Sequence, residues 1–515
     1  RKPQKIRKMK KALKNFVTDA FPEIIMIFLN LILLKLFYSR LGTDVYALYQ
    51  LFSQYFAYLL LAEAGFSSAA LVSLYKPLAD NNTNEVNKKL SGISFIFRNI
   101  GIIIIVLAII ISFIIPFTIK GNTLDTFYIV TTFILFAISN SINYFFFTYR
   151  IYYDAKGEKY IPNLVYQIGS IIKYLVEIII LLLRADFWIV LVGCIVCNLA
   201  TNIFMKKYAQ KKEKNICIDK KNRDTSMFKD TKDLIVHKIS GVIANNIDIV
   251  LISANLGLKE VAIYGAYNYI LNEINKIISK IGTSLYSIIG KTYFEKDNHK
   301  IDKNKFIQYN SFLYFLATII CASLIFSYNS FISVFYGPEM VATNIVTYMF
   351  IILIYIQIIR TTLNTYVNAC GVFRETKVCT VAEGIINLIL TLIFIRYFKM
   401  SGALAATIVS LIIADFIIKP IVIKRKLQIF NMKEFYREFF LNSTIAFILI
   451  ALNAIIIKIS VNSLIKWFGV SVIIFIINTI IAIAYFMLIG RIGWLKDVIN
   501  KLRRKNENKH NNTSI

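Results

Sequence analysis

Histidine is nearly absent: the chain has three in 515 residues, His237, His299 and His510. A catalytic or metal centre built on imidazole therefore has little to draw on. Charge is scarce as well, at 17% of residues against roughly a quarter in soluble chains. The seven prolines carry no chemistry of their own, and Pro22, Pro116, Pro162 and Pro420 mark the ends or kinks of apolar segments. Six cysteines are scattered as Cys194, Cys197, Cys217, Cys321, Cys370 and Cys379. Cys194 and Cys197 form a CxxC inside an apolar block with no second pair nearby, which suits small apolar filler rather than a metal or redox site. Nothing in this spacing resembles a disulfide framework.

What the chain does have is apolar residues, 57% of the total with a mean hydropathy of +0.61. They are gathered in blocks of about twenty, the length a helix needs to cross a bilayer. Ile100–Pro116 and Val470–Ile489 are the plainest. Fourteen spans are predicted, at 20–38, 46–74, 93–116, 124–147, 162–183, 187–205, 234–256, 262–289, 306–326, 343–368, 379–397, 401–423, 438–458 and 467–489. The expected fold class is thus an all-α integral membrane protein. No cleavable signal peptide is expected, since a basic run leads straight into the first span.

The net charge of +29 raises nucleic acid as a partner, and position argues against it. One set of alternate loops takes most of the Lys and Arg. The opposite turns and adjoining span ends hold only eight: Arg40, Lys120, Arg184, Lys259, Arg396, Lys399, Lys458 and Lys466. That asymmetry is the positive-inside pattern, and it places both termini in the cytoplasm. The basic loops are then expected to lie against anionic membrane lipids rather than nucleic acid.

The longest polar stretch, Lys206–Asp233, follows the sixth span and has the composition of a solvated linker. A repeat supports a division there. Leu41–Gly42 and the following Tyr46–Tyr49 open the second span, and Leu256–Gly257 and Tyr264 open the eighth at an offset of 215; Lys76 and Lys291 close these spans at the same offset. Ala155-Lys156-Gly157 and Ala369-Cys370-Gly371 match at an offset of 214. Units six spans apart share one membrane orientation, so two such halves are related by an axis along the membrane normal, with a cleft between them. The expected domains are residues 1–205 (spans 1–6), a cytoplasmic linker 206–233, residues 234–425 (spans 7–12), and residues 426–515 (spans 13–14 and a basic tail).

The segments LGTDVYALY (41–49) and LGLKEVAIYGAY (256–267) carry an "LG…YG(L/I)Y" pattern, and with them come EAGFSSAA (63–70) and SGVIANNIDIVLIS (240–253). Together with fourteen spans, the chain is similar to the polysaccharide-exporting branch of the multidrug/oligosaccharidyl-lipid/polysaccharide exporter superfamily, the Wzx-type flippases. Ala47 departs from that pattern, standing where the family often has Gly. The resemblance implies two six-helix lobes around a central cavity, and the flipping of lipid-linked sugars by alternating access.

Ionisable side chains in hydrocarbon are costly unless they pair or meet water, which makes each a functional candidate. Those within the predicted spans are Glu23, Lys35, Glu63, Lys173, Glu177, Lys238, Asp248, Glu273, Lys276, Lys280, Arg360, Glu383 and Asp415. Glu273, Lys276 and Lys280 share one helical stripe in span 8. Two lysines repel and one glutamate neutralises only one of them, so an anion such as a diphosphate would offset the surplus. Pairing and snorkelling are the alternative. Asp248 beside Asn245 and Asn246 has the make-up of a Na⁺ or H⁺ coupling site, or of a hydrogen-bonded cluster. Arg360, Lys238, Glu63 and Lys35 complete the cavity candidates. Lys173 with Glu177, and Asp415 with Lys419, are spaced as i, i+4 ion pairs.

These readings converge on a non-enzymatic flippase for a polyprenyl-diphosphate-linked oligosaccharide in the bacterial cytoplasmic membrane, serving cell-surface polysaccharide synthesis. Its expected partners are that glycan, membrane lipids, and a glycan polymerase or glycosyltransferases. Rivals are a cation-coupled drug antiporter or a peptidoglycan-precursor flippase of the same superfamily. A membrane enzyme would need larger outer loops than these short turns. Sugar, carrier length, coupling ion and oligomeric state are not encoded legibly.

Overall fold

The computed structural model describes residues 22–63, 65–219, 222–228, 247–294, 301–456 and 459–493. Among them there are helices and no strands. The helices are 22–36 (α1), Gly42–Leu59 (α2), Phe66–Ala79 (α3), Thr83–Ile114 (α4), Thr126–Phe145 (α5), Phe147–Ala155 (α6), Tyr160–Leu182 (α7), Phe187–Lys212 (α8), Ile247–Leu256 (α9), Leu258–Phe294 (α10), Lys303–Phe335 (α11), Asn344–Cys370 (α12), Phe373–Leu411 (α13), Lys419–Leu427 (α14), Met432–Ile456 (α15) and Leu464–Leu488 (α16).

Ten helical stretches among the described residues are long and apolar enough to cross a membrane. The pattern of exposure agrees. On α4 the exposed face is Ile102, Ile103, Val106, Ile109, Ile110 and Phe113, while Gly92, Ile93, Phe97 and Ile104 are buried. Continuous apolar exposure of this kind is untenable in water and natural in lipid. Polar groups go the other way: Asn202, Asn387, Thr391 and Asn478 are buried and hydrogen-bonded to neighbouring helices or their own preceding turn.

Two of the ten stretches are interrupted. Pro22–Glu63 breaks at Gly42 (φ 87°, ψ 172°), where the stacking of Phe37 on Tyr49 and the edge contact of Tyr38 with Tyr46 close the corner. Arg374–Leu427 breaks at Lys399 (φ 53°). These are the places where the sequence separates spans 1 from 2 and 11 from 12.

The chain forms two compact units, Arg1–Ala262 and Ile263–Ile515. In the first, α5 packs on α4 and α8, and α8 on α7. Its centre is aromatic, with Phe52 against Phe133, Phe136 and Phe187. In the second, α11 is the hub for α12, α15 and α16. The last two helices are bound into it: Trp467 donates to the Ser327 carbonyl at 3.0 Å, and Asn478 to Ser323 Oγ at 3.2 Å.

The repeat has a counterpart in backbone and packing. Gly42 and Gly257 have φ of 87° and 94°, and Gly157 and Gly371 have 73° and 72°. These are left-handed values that glycine alone adopts without strain. Tyr49 meets Phe136 at 6.0 Å in the first unit, and Tyr264 meets Phe350 at 5.2 Å in the second. The tyrosines differ by 215 positions and the phenylalanines by 214, matching the sequence offsets.

Candidate functional site

The 37 residues of α10 reach about 55 Å at 1.5 Å per residue, more than a bilayer needs. One face packs on its own unit. Tyr267 stacks on Phe350 and bonds Asn329, Asn275 bonds Gln357, and Asn368 bonds Tyr286. Gly282 is in close approach to Thr365. The opposite face is exposed and mostly polar: Asn272, Lys276, Ser279, Lys280, Thr283 and Ser284, with the apolar Ile277 among them and Glu273 at its edge. Lys276 donates to Glu273 at 2.7 Å, yet its side chain is 56% exposed. Glu273, Lys276 and Lys280 therefore share one stripe, as their spacing requires. This polar face is why α10 is absent from the ten stretches apolar enough to cross a membrane, and three turns of polar side chains call for water rather than lipid, which would leave them unsatisfied.

Glu63 lies just after α2, at a break in the predicted second span. A 3₁₀ turn, Leu60–Glu63, leads to Gly65, whose φ of 85° stops the helix before α3 restarts at Phe66. The carboxylate is half-buried, taking hydrogen bonds from Ser67 and, at 2.9 Å, from the Tyr144 hydroxyl of α5. Lys35 is half-buried on α1. Asp248 is buried in α9. Lys238, Asn245 and Asn246 lie outside the described residues.

Arg360 sits in a network. Its guanidinium grips Glu383 of α13 with two bonds of 3.2 and 3.3 Å, and its Nε lies 2.6 Å from Asp415. Asp415 stands in a π-helical segment, Ile412–Ile418, and also pairs with Lys419, which donates to Asn364 at 2.9 Å. Two cations and two carboxylates balance. In the first unit, Lys173 and Glu177 are 3.9 Å apart, and the Cys194 thiol donates to Glu177 at 2.6 Å. Spacing pointed to the i, i+4 pairs. It held no signal for Tyr144, Glu383 or Cys194 as partners, since these come from other helices.

No group of three or more metal-binding side chains occurs among the described residues. The described residues form a many-helix membrane protein, and comparison with known proteins agrees with that fold. Among solved structures the chain is similar to the lipid II flippase MurJ in an inward closed conformation, with a TM-score of 0.70 and 16% identity, covering 91% of this chain and 99% of that one. It is also similar to an inward-facing multidrug resistance MATE family transporter of the MOP superfamily (TM-score 0.66, 12% identity, 80% and 98% covered). A MOP superfamily transporter from Pyrococcus furiosus gives a TM-score of 0.59 at 11% identity, with 81% and 96% covered. At such identities the likeness is one of fold. A search of curated proteins finds no match. The sequence profile described as "Polysaccharide biosynthesis protein" matches residues 13–292, more than half of the chain, and this multi-pass membrane protein therefore belongs to the polysaccharide biosynthesis protein family.

Proposed function

We propose that the chain is a flippase that moves a polyprenyl-diphosphate-linked oligosaccharide across the bacterial cytoplasmic membrane by alternating access. The observation that carries this is the exposed polar stripe of α10, with Lys276 and Lys280 on it. A diphosphate with sugars cannot cross about 30 Å of hydrocarbon unaided. A wet helix face with two lysines supplies donors to its phosphate oxygens, and hydroxyls and amides such as Ser279, Thr283 and Asn272 suit sugars. Membership of a polysaccharide biosynthesis family and a fold shared with a lipid II flippase support the same cargo class. No bond is made or broken, so the protein acts as a carrier and not as an enzyme. Its driving ion is Na⁺ or H⁺, with Asp248, Asn245 and Asn246 as the proposed site. Glycosyltransferases and a glycan polymerase would act before and after it.

Within this reading Lys276 and Lys280 contact the diphosphate, and Glu273 sets the position of Lys276. Arg360 is a structural cation, engaged by two carboxylates. The test is export of surface glycan by a strain in which this chain is the sole flippase. Joint replacement Lys276→Ala and Lys280→Ala should abolish export at normal protein level, while the Lys→Arg pair should retain most of it. Unchanged export in the double alanine chain would remove the site. Sensitivity of the null strain to cationic dyes with intact surface glycan would instead support the drug antiporter.

A further inference from the structure

The polar stretch after α8 has the composition of a free linker, but residues 213–219 and 222–228 lie along α4. The side-chain amide of Asn87 donates to the Asn215 carbonyl at 3.0 Å and accepts from the Cys217 N–H at 3.2 Å. Ser91 Oγ accepts from the Asp219 N–H at 2.9 Å, and the Lys88 carbonyl from the Asp224 N–H at 3.1 Å. The Arg223 guanidinium lies 3.8 Å above the Phe95 ring. Asn87, Lys88, Ser91, Gly92 and Phe95 form one helical stripe, so a single face of α4 holds the segment. Gly92 is what lets it come so close: a Cβ there would stand 1.8 Å from the Asp224 carbonyl oxygen.

Both ends are anchored. At one end Glu213 accepts from Lys156 at 2.5 Å and from the Tyr152 hydroxyl at 3.1 Å. Burial opposes the charge on Lys156, but Glu213 outweighs it and the ammonium pKa lies above its usual value. At the other end Phe228 packs on Phe66, ring centroids 5.3 Å apart. Phe66 is the first residue of α3, next to the left-handed Gly65 and three positions from Glu63.

We propose that residues 213–219 and 222–228 form a strap: docked on α4, they hold the break between α2 and α3 in its present geometry, and they must lift for α3 to move during transport. The free-linker alternative leaves unexplained why the backbone of this segment is satisfied by α4 at four separate points. Glycine at position 92 and the terminal Phe228–Phe66 contact point to a seat shaped for this segment.

Hydrogen exchange of residues 66–70 in the full-length purified protein tests this without reference to any cargo. Gly92→Val should expel the strap, and Phe228→Ala, a milder change that leaves α4 intact, should release only its end. Both should speed exchange at 66–70 about fivefold. Cys217 is the exposed cysteine of the six, so Asn87→Cys allows the strap to be fixed with a short bis-maleimide. The fixed chain should exchange more slowly at 66–70 and lose surface-glycan export, while the same variant without reagent exports normally. Exchange at 66–70 that is identical in the native, Gly92→Val, Phe228→Ala and cross-linked chains would overturn the strap, as would native export by the fully cross-linked chain. Failure of the native chain to support any glycan export would refute the flippase reading instead, and the exchange result would then decide the strap alone.

Discussion

Removing Arg360 tests whether the network of α12, α13 and the π-helical segment is a balanced set. The side chains of Glu383, Asp415 and Lys419 are 8%, 0% and 7% exposed. Arg360→Met leaves two carboxylates with one cation, Lys419, and strands a buried negative charge. Breaking a buried pair this way costs about 3–5 kcal/mol. Arg360→Met combined with Glu383→Gln restores neutrality and keeps the Asp415–Lys419 pair, so its loss should be about 1–2 kcal/mol. Both can be measured by equilibrium unfolding in mixed micelles. Cys379 provides a signal, since it is 1% exposed and sits one turn before Glu383 on α13. A thiol dye reaches it only when this part of the unit opens. A loss under about 1 kcal/mol for the single variant, or a double variant no more stable than the single, would refute the balanced-network account. A stable double variant that also exports glycan would show that Arg360 does not contact cargo.

Other consequences are as direct. Gly65→Ala forces a side chain into a φ of 85°, which should cost roughly 1–2 kcal/mol in the same unfolding assay and should reduce export. Glu63→Gln keeps an acceptor for the Tyr144 hydroxyl and should leave stability within about 1 kcal/mol of native, whereas Glu63→Leu should cost about 1–3 kcal/mol through the stranded hydroxyl. Lys120 donates from its ammonium to the Asn255 carbonyl at 2.7 Å and from its backbone to Ser253 at 3.1 Å. A cation at the end of α9 stabilises the helix dipole by about 0.3–1 kcal/mol, so Lys120→Met should speed hydrogen exchange over residues 247–256 by a few-fold.

How far the sequence foretold these features depended on whether the signal was local. Apolar blocks mark spans because length and hydropathy are properties of one segment, and Gly42 and Gly257 mark corners because positive φ is a property of one residue. The stripe of Glu273, Lys276 and Lys280 follows from helical spacing alone. Partnerships between helices were not legible. Arg360, Glu383 and Asp415 could each be named as intramembrane charges, but they lie 23 and 32 positions apart in turn, and nothing in their spacing joins them. The break inside the second span was hidden because EAGFSSAA is apolar enough to continue a helix, whereas the 3₁₀ turn Leu60–Glu63 and the positive φ of Gly65 interrupt it. The docked segment was least visible: composition reads Lys206–Asp233 as a solvated linker, whereas 206–212 continue α8 and Asp224 is seated against the distant Gly92.

The central claim is that the exposed face of α10 meets water and an anionic lipid-linked cargo. Single cysteines can be placed on that face by Lys276→Cys, Ser279→Cys and Thr283→Cys, and on the buried face by Leu271→Cys and Ile278→Cys, in a chain freed of its native cysteines. Labelling in membranes with a charged, membrane-impermeant maleimide then separates the two faces. The account predicts rapid labelling at 276, 279 and 283, slow labelling at 271 and 278, and protection of the first set by added polyprenyl diphosphate. Equal labelling of both faces, or rapid labelling that polyprenyl diphosphate leaves untouched, would contradict it.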